Sequence, residues 1–427
     1  MTGINATNQG KGSRNRLPAD IWVLVAAAFA VAIGYGLVAP VLPQFAQSFD
    51  VSVTAASVVV SAFAFFRLVF APTGGFLVDR LGERSVYMTG LLIVAVSTLA
   101  TGLAQSYVQL LIFRGLGGLG STMFTISAMA LLTRISPPGA RGRIMGIYAT
   151  AFLIGNIGGP VLGGVLAEFG MRIPFFVYSA SLLVATAVVA IFLRGGRRRS
   201  SDDQTPELPP LPVREALKDL RYLAALASSF VNGWASFGVR VAIVPLFAAA
   251  NFDAGPGIAG TALASFAVGT ASVVSVAGWL SDRYGRKPLV IWGLVISGVS
   301  TVVMGWCDTV PLLVAASVVA GVGAGILNPS QQATVADVIG SDRAGGKVLA
   351  TFQMASDTGA ILGPVVVGLV VDAMGYKVGF AVSGALLLAA VIPWLFAKEP
   401  RQAASAVTSG SDLLHRLANR PRDAVTW

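Results

Sequence analysis

The sequence predicts an all-α membrane protein with twelve transmembrane helices in two six-helix bundles related by a pseudo-two-fold axis. Three observations predict it: an apolar composition, twelve apolar runs of spanning length, and a repeat whose period is about half the chain. The 427 residues are 55% hydrophobic and only 12% charged, with a mean hydropathy of +0.75. So little polar surface cannot cover a chain of this size in water. Each apolar run is about 20 residues or longer, enough for a helix to cross a hydrocarbon core of about 30 Å.

Taken in order, residues 1–19 are polar and basic and read as a cytoplasmic arm. The first apolar run is long and has no small-residue cleavage site, so it reads as a retained span and not as a signal peptide. Spans one to six are expected at about 21–45, 54–78, 86–105, 108–133, 145–167 and 173–193, which places the N-terminal bundle over 20–193. Residues 194–220 are charged and proline-rich with no apolar period, the composition of a flexible cytoplasmic linker with a basic clamp at Arg194 and Arg197 to Arg199. Spans seven to twelve follow at about 222–247, 258–280, 288–306, 310–335, 348–371 and 377–397, giving a C-terminal bundle over 221–397. In the cytoplasmic tail, 398–427, "SDLLHRLANR" has the pattern of a short amphipathic helix capped by Ser411 or Asp412.

The net charge of +10 is a topology signal. With both termini inside, 25 of the 30 Lys and Arg fall in cytoplasmic loops and tails; Arg172 and Lys377 fall outside, and Arg67, Arg114 and Arg240 lie within spans. That asymmetry is the positive-inside rule applied loop by loop, and it argues against a nucleic-acid partner. Cys307 is the only cysteine, so no intrachain disulfide forms.

The repeat shows in the loop between spans two and three. Gly75, Leu77, Asp79, Arg80 and Gly82 recur as Gly278, Leu280, Asp282, Arg283 and Gly285 at a constant offset of 203. "GNIGGPVLGG" at 155–164 recurs as "GAILGPVVVG" at 359–368, an offset of 204. In the charged turns, glycine allows close helix approach, the Asp is expected to end the span, and Gly82 supports a turn that helix does not allow. In span five, Gly155, Gly159 and Gly163 share one helical face, with Pro160 and Gly164 beside them, a pattern for backbone-to-backbone packing.

Over about residues 20–400 the chain resembles the major facilitator superfamily, and within it the twelve-helix drug:proton antiporters. The two turns are similar to that family's G-x-x-x-D-R-x-G-R-[RK]. The second copy is complete through Arg286 and Lys287, whereas the first reads Glu83 and Arg84, with an acid where a base is expected. The span-five string is similar to the antiporter motif G-x-x-x-G-P-x-x-G-G at every specified position. "GYGLVAPVLPQF" is similar to the first-span proline motif, and "FRGLGGLG" to R-x-x-Q-G, with Gly117 in the Gln position. The resemblance implies a major facilitator fold and a conformational latch built on Gly75, Asp79, Arg80, Gly82 and Arg84 with Gly278, Asp282, Arg283, Gly285 and Arg286. The alternative for these turns is a topological role only. The string GLGGLG also satisfies a dinucleotide fingerprint, but it lies inside an apolar span with no strand before it, and "GSDRAGGKV" fails as a P-loop. No cofactor is expected.

Charges inside the membrane point to function. One near mid-bilayer costs at least ~2.5–3.5 kcal/mol on insertion scales and faces a cavity or a partner. Asp357 is the only deep carboxylate, and with Arg114 it forms the candidate proton-coupling set; a fixed ion pair with one of the arginines is the competing reading. Ser228, Asn232, Ser236 and Arg240 follow each other at i+4 in span seven, a polar stripe suited to a central cavity or to bridging neighbouring helices. Arg67, Trp234, Gln353 and Tyr35 complete the candidate cavity wall. The resulting expectation is a secondary active transporter working by alternating access: a monomer in the inner (plasma) membrane that exchanges protons for small hydrophobic or amphipathic compounds. The alternatives are a specific transporter of a metabolite such as a sugar, amino acid or siderophore, and a non-transporting receptor with a transporter fold. No metal cluster or catalytic triad can be assembled from the spans, so no enzyme activity is expected.

Overall fold

A computed structural model describes residues 18–136, 141–193, 209–252, 255–340 and 343–397. The Arg194 and Arg197 to Arg199 clamp and the 411–420 helix fall outside the described residues, as does the side chain of Asp79. Among the described residues, twelve helices are long and apolar enough to cross a membrane. They are α1 (Ala19–Val38), α2 (Val53–Leu81), α3 (Glu83–Leu103), α4 (Tyr107–Ile135), α5 (Arg141–Glu168) and α6 (Ile173–Phe192), then α7 (Leu220–Phe252), α8 (Pro256–Tyr284), α9 (Arg286–Met304), α10 (Val310–Ile339), α11 (Gly346–Met374) and α12 (Tyr376–Phe396). Twelve spans put residues 18 and 397, the outermost described residues, on one side, here called the terminal face; the opposite side is the far face.

The repeat in sequence is a repeat in packing. Gly118 of α4 lies on the Phe63 carbonyl of α2, and Gly321 of α10, 203 positions on, lies on the Phe266 carbonyl of α8; a Cβ at either glycine would overlap that oxygen. The bundles touch each other along two seams, α5 with α8 and α2 with α11, and these are also equivalent. A Cβ on Gly164 would meet the Cα of Gly257 at 2.8 Å, and one on Gly368 would meet the Cα of Thr54 at 2.7 Å. Small residues let backbones approach this closely, the main source of helix association where solvent is as apolar as the side chains.

Several boundaries differ from expectation for local reasons. Span one stops at Val38, and a turn leads into a separate helix, Leu42–Gln47, because Pro40 and Pro43 cannot donate to a continuing helix. The Asp of the charged turn does not end span two: α2 runs through Asp79 and Arg80 to Leu81. Gly82 alone, at φ 83°, joins it to α3, and Gly285, at φ 94°, does the same between α8 and α9. In α7, Gly233–Val239 is a π-helical segment. From Pro209 the inter-bundle segment lies on the C-terminal bundle: the Leu211 N–H donates to the Ala344 carbonyl at 3.0 Å, and Glu215 pairs with Arg343 at 2.7 Å.

Candidate functional site

The α2–α11 seam is stitched from the far face to mid-membrane. At the far end the Asp372 carboxylate accepts from the backbone N–H groups of Val53 and Thr54 at 3.0 and 2.9 Å, and from the Thr54 hydroxyl at 2.5 Å. A carboxylate from one bundle thus caps the first turn of a helix in the other, where free N–H groups favour an anion. Nearby, Gln44 donates to the Pro245 carbonyl at 3.0 Å. Further in, the Ser61 hydroxyl donates to the Ile361 carbonyl at 2.7 Å. At mid-membrane, Arg67 Nη2 and Asp357 Oδ1 form an ion pair at 2.8 Å, and Gln353, one turn before Asp357, donates to the same oxygen at 3.3 Å. The terminal-face half is different: a Cβ on Gly75 or Gly278, the first glycines of the two charged turns, would meet nothing within 4 Å. The cleft between the bundles is therefore sealed at the far face and open toward the terminal face. Beside the seam an apolar groove of about 600 Å³ is walled by Phe65, Phe66, Leu111, Ile361 and Val365.

Asp357, Arg67 and Gln353 thus come together as one cross-bundle cluster. Arg114 does not join it. The residue is 7% exposed, and its guanidinium lies 4.3 Å from the Phe63 ring centroid and 5.9 Å from that of Tyr35. Span seven does not present one polar face. Asn232 donates to Asn328 of α10 at 2.9 Å, and Ser236 donates to Asn232 at 3.1 Å. Ser228 bonds its own helix, Trp234 is buried with its Nε1 donating to Ser383 of α12 at 3.3 Å, and Arg240 is buried over the Phe266 ring at 3.9 Å. The i+4 spacing that implied a single stripe assumes a regular α-helix. Gly233–Val239 is π-helical, and the side chains end against different neighbours: Asn232 and Ser236 toward α10, Arg240 toward α8 and α9. Ring-on-ring packing of Trp234 against Phe230, with centroids 6.0 Å apart, further commits it to the bundle interior.

The charged turns give Glu83 its partner. Glu83 pairs with Arg134 at the end of α4 at 2.9 Å; Arg286, its equivalent, bonds Asp337 at the end of α10 at 3.3 Å. Residues 83 and 286, and 134 and 337, are each 203 apart, so the two bundles hold the same ion pair with its polarity reversed. Arg286 also pairs with Asp282. Arg84 donates to the Ala190 carbonyl in the last turn of α6 at 2.6 Å, and Lys287 donates to the Leu395 and Ala397 carbonyls at the end of α12 at 2.9 and 3.0 Å. Arg80 lies over Phe76 of its own helix at 5.7 Å, and Arg283 over Trp279 at 5.3 Å. Neither Arg134 nor Asp337 was found from sequence, although applying the 203 offset to every charge would have matched them.

The reversed pair makes a prediction. Glu83→Arg sets two guanidinium groups against each other and is expected to lower the melting temperature. The loss corresponds to about 1 kcal/mol, because both partners are about a quarter exposed. Adding Arg134→Asp recreates the arrangement of the C-terminal bundle and is expected to recover most of that loss. Thermal unfolding of the single and double variants reads the difference.

The span-five motif has two working faces. Gly155, Gly159 and Gly163 lie on α1, where a Cβ would meet Ala32, Gly36 and Leu37, while the Pro160 carbonyl and Gly164 face Gly260 and Gly257 of α8 across the seam. One string therefore holds α5 inside its own bundle and closes the far face.

This architecture agrees with what the chain is similar to. The family model for the Major Facilitator Superfamily matches residues 24–239 and 225–422. "Multidrug resistance protein 2" of Bacillus subtilis (strain 168) is 29% identical over 378 residues, covering 85% of this chain and 91% of that protein. "Multidrug resistance protein MdtG" of Citrobacter koseri is 27% identical over 391 residues, covering 88% and 95%. Among solved structures, a bacterial homologue of the human lysosomal transporter Spinster, inward-facing and unoccupied, superposes with a TM-score of 0.73 at 17% identity, covering 90% of this chain and 96% of that one. The chain is an integral multi-pass membrane protein and belongs to the Major Facilitator Superfamily of transporters.

Proposed function

We propose that the protein is a proton-coupled exporter of small hydrophobic or amphipathic compounds, working by alternating access in the plasma membrane with its terminal face toward the cytoplasm. The observation that carries this reading is the Arg67–Asp357 pair, placed where the sealed half of the cleft meets the open half. An ion pair between two bundles exists only while they are in contact there, so it stabilises the far-sealed state and opposes rocking. Protonating Asp357 removes the attraction. In the cycle this implies, the paired state has released its proton to the terminal face and awaits substrate, whose binding offsets the loss of the pair as the far face opens. A proton taken up by Asp357 from the far side then discharges the carboxylate for the return. The names of the relatives support drugs as the compound class, and the apolar groove beside the seam suits apolar groups.

Reconstitution tests it. In proteoliposomes with an imposed pH gradient, wild-type protein is expected to move a hydrophobic dye against its own gradient, and to stop when a protonophore collapses the pH difference. Dye movement that survives the protonophore removes the proton coupling. The absence of flux for any compound in a broad panel removes the transporter reading and favours a receptor.

A further inference from the structure

A carboxylate stands at the same point of both seams at the far face. Four residues past Gly368 of α11 comes Asp372, and four past Gly164 of α5 comes Glu168, the last residue of that helix. Asp372 holds the first turn of α2 through the Thr54 N–H and hydroxyl. Glu168 stands at the first turn of α8. Its Oε1 lies 3.3 Å from where a Cβ on Gly257 would be, and Gly257 is the counterpart of Thr54, 203 positions on.

The two helix starts differ in what they supply for themselves. α2 has its own cap, the Ser52 hydroxyl, which accepts from the Ala55 N–H at 3.2 Å. The counterpart of Ser52 is Gly255, which has no side chain to offer, and α8 begins Pro256, Gly257, Ile258 with no side-chain cap bond. Proline brings no N–H, so the free donors begin at Gly257. Unpaired N–H groups and the helix dipole favour an anion at such an end. Glycine at 257 leaves the space that the Glu168 carboxylate occupies, since a Cβ there would crowd Oε1. The start of α8 therefore depends on an acid from the other bundle more than the start of α2 does.

We propose that Glu168 is a positioning residue for transport: it caps α8 across the α5–α8 seam and, with Asp372, makes a two-point latch of the far-sealed state. This rests on the alternating-access reading above and names what holds the far face shut. Each bundle supplies one acid and one helix start, so the bundles cannot part at the far face without breaking both contacts.

The test reads the opening at the other seam. The full chain carries Cys307→Ser and Ser57→Cys, the latter buried in α2 beside Gly368 of α11. Glu168→Ala is expected to raise the rate of maleimide labelling at position 57 by about two- to thirtyfold, the factor that a lost helix cap represents. Asp372→Ala is expected to do the same, and the double variant to show the product of the two factors. Glu168→Gln, which keeps an acceptor oxygen but no charge, is expected to fall between wild type and Glu168→Ala. Gly255→Ser separates a latch from a merely structural cap, because it gives α8 a cap of its own in open space. Added to Glu168→Ala, it is expected to recover the melting temperature but not the slow labelling. Wild-type labelling in Glu168→Ala overturns the proposal, and so does recovery of slow labelling by Gly255→Ser; a rate raised by Asp372→Ala in either case leaves alternating access standing. Labelling unmoved in every variant, with no flux across the compound panel, sinks both.

Discussion

Asp357→Asn is expected to abolish transport driven by a pH gradient and to loosen the far face. The substitution removes the ionisable group and leaves Arg67 facing an amide. Because the Arg67 side chain is 36% exposed, losing the pair costs about 1–3 kcal/mol and not the larger penalty of a fully buried one. Spent on the balance between far-sealed and far-open states, that is roughly a 5–150-fold shift. Ser57 gives a reporter: it is fully buried in α2 and lies beside Gly368 across the seam. The only cysteine, Cys307, is replaced by Ser. In that background, Ser57→Cys is expected to react with a maleimide faster when Asp357 is Asn. The double variant Arg67→Gln with Asp357→Asn separates two roles. If Asp357 acts only as a partner, removing both charges restores labelling and transport together. A group that also carries the proton restores the labelling rate but leaves transport uncoupled, which is the expected outcome. Full recovery of gradient-driven transport in the double variant removes Asp357 as the proton site.

Gly260→Leu is expected to stop transport with the protein still folded. Gly260 of α8 presses on the Pro160 carbonyl of α5, and any Cβ there overlaps that oxygen, so the two bundles cannot close at the far face around a leucine. The three atoms nearest that Cβ all belong to the other bundle, so parting of the bundles at the far face relieves the overlap. Ser57→Cys labelling should rise at least tenfold while the melting temperature changes little. Gly163→Leu is the contrast. It faces Leu37 of α1 inside the N-terminal bundle, where overpacking costs about 1–3 kcal/mol or more with no rocking motion to relieve it, so it is expected to lower the melting temperature. Equal loss of stability in the two variants would count against a seam that opens and closes.

Much of this was legible in the sequence because a bilayer leaves few choices. Twelve apolar runs had to be helices, since lipid offers no partner for an unpaired backbone group. The arginines and lysines fixed which ends of those helices share a side. The offset of 203 announced two equivalent bundles, and the glycines of the span-five motif announced close packing. Contacts between residues far apart in the chain were not legible. No spacing says that Asp357 meets Arg67 and not Arg114, that Glu83 meets Arg134, or that Asp372 caps a helix 319 residues earlier in the chain. The span-seven stripe shows the same limit within one helix, because spacing did not say that Asn232 would meet α10 while Arg240 met α8 and α9. Composition and spacing were enough to set the spans, their sidedness pattern and the doubling. Which buried charges are neutralised followed from the fold, because pairing depends on which helices the bundles bring together in space.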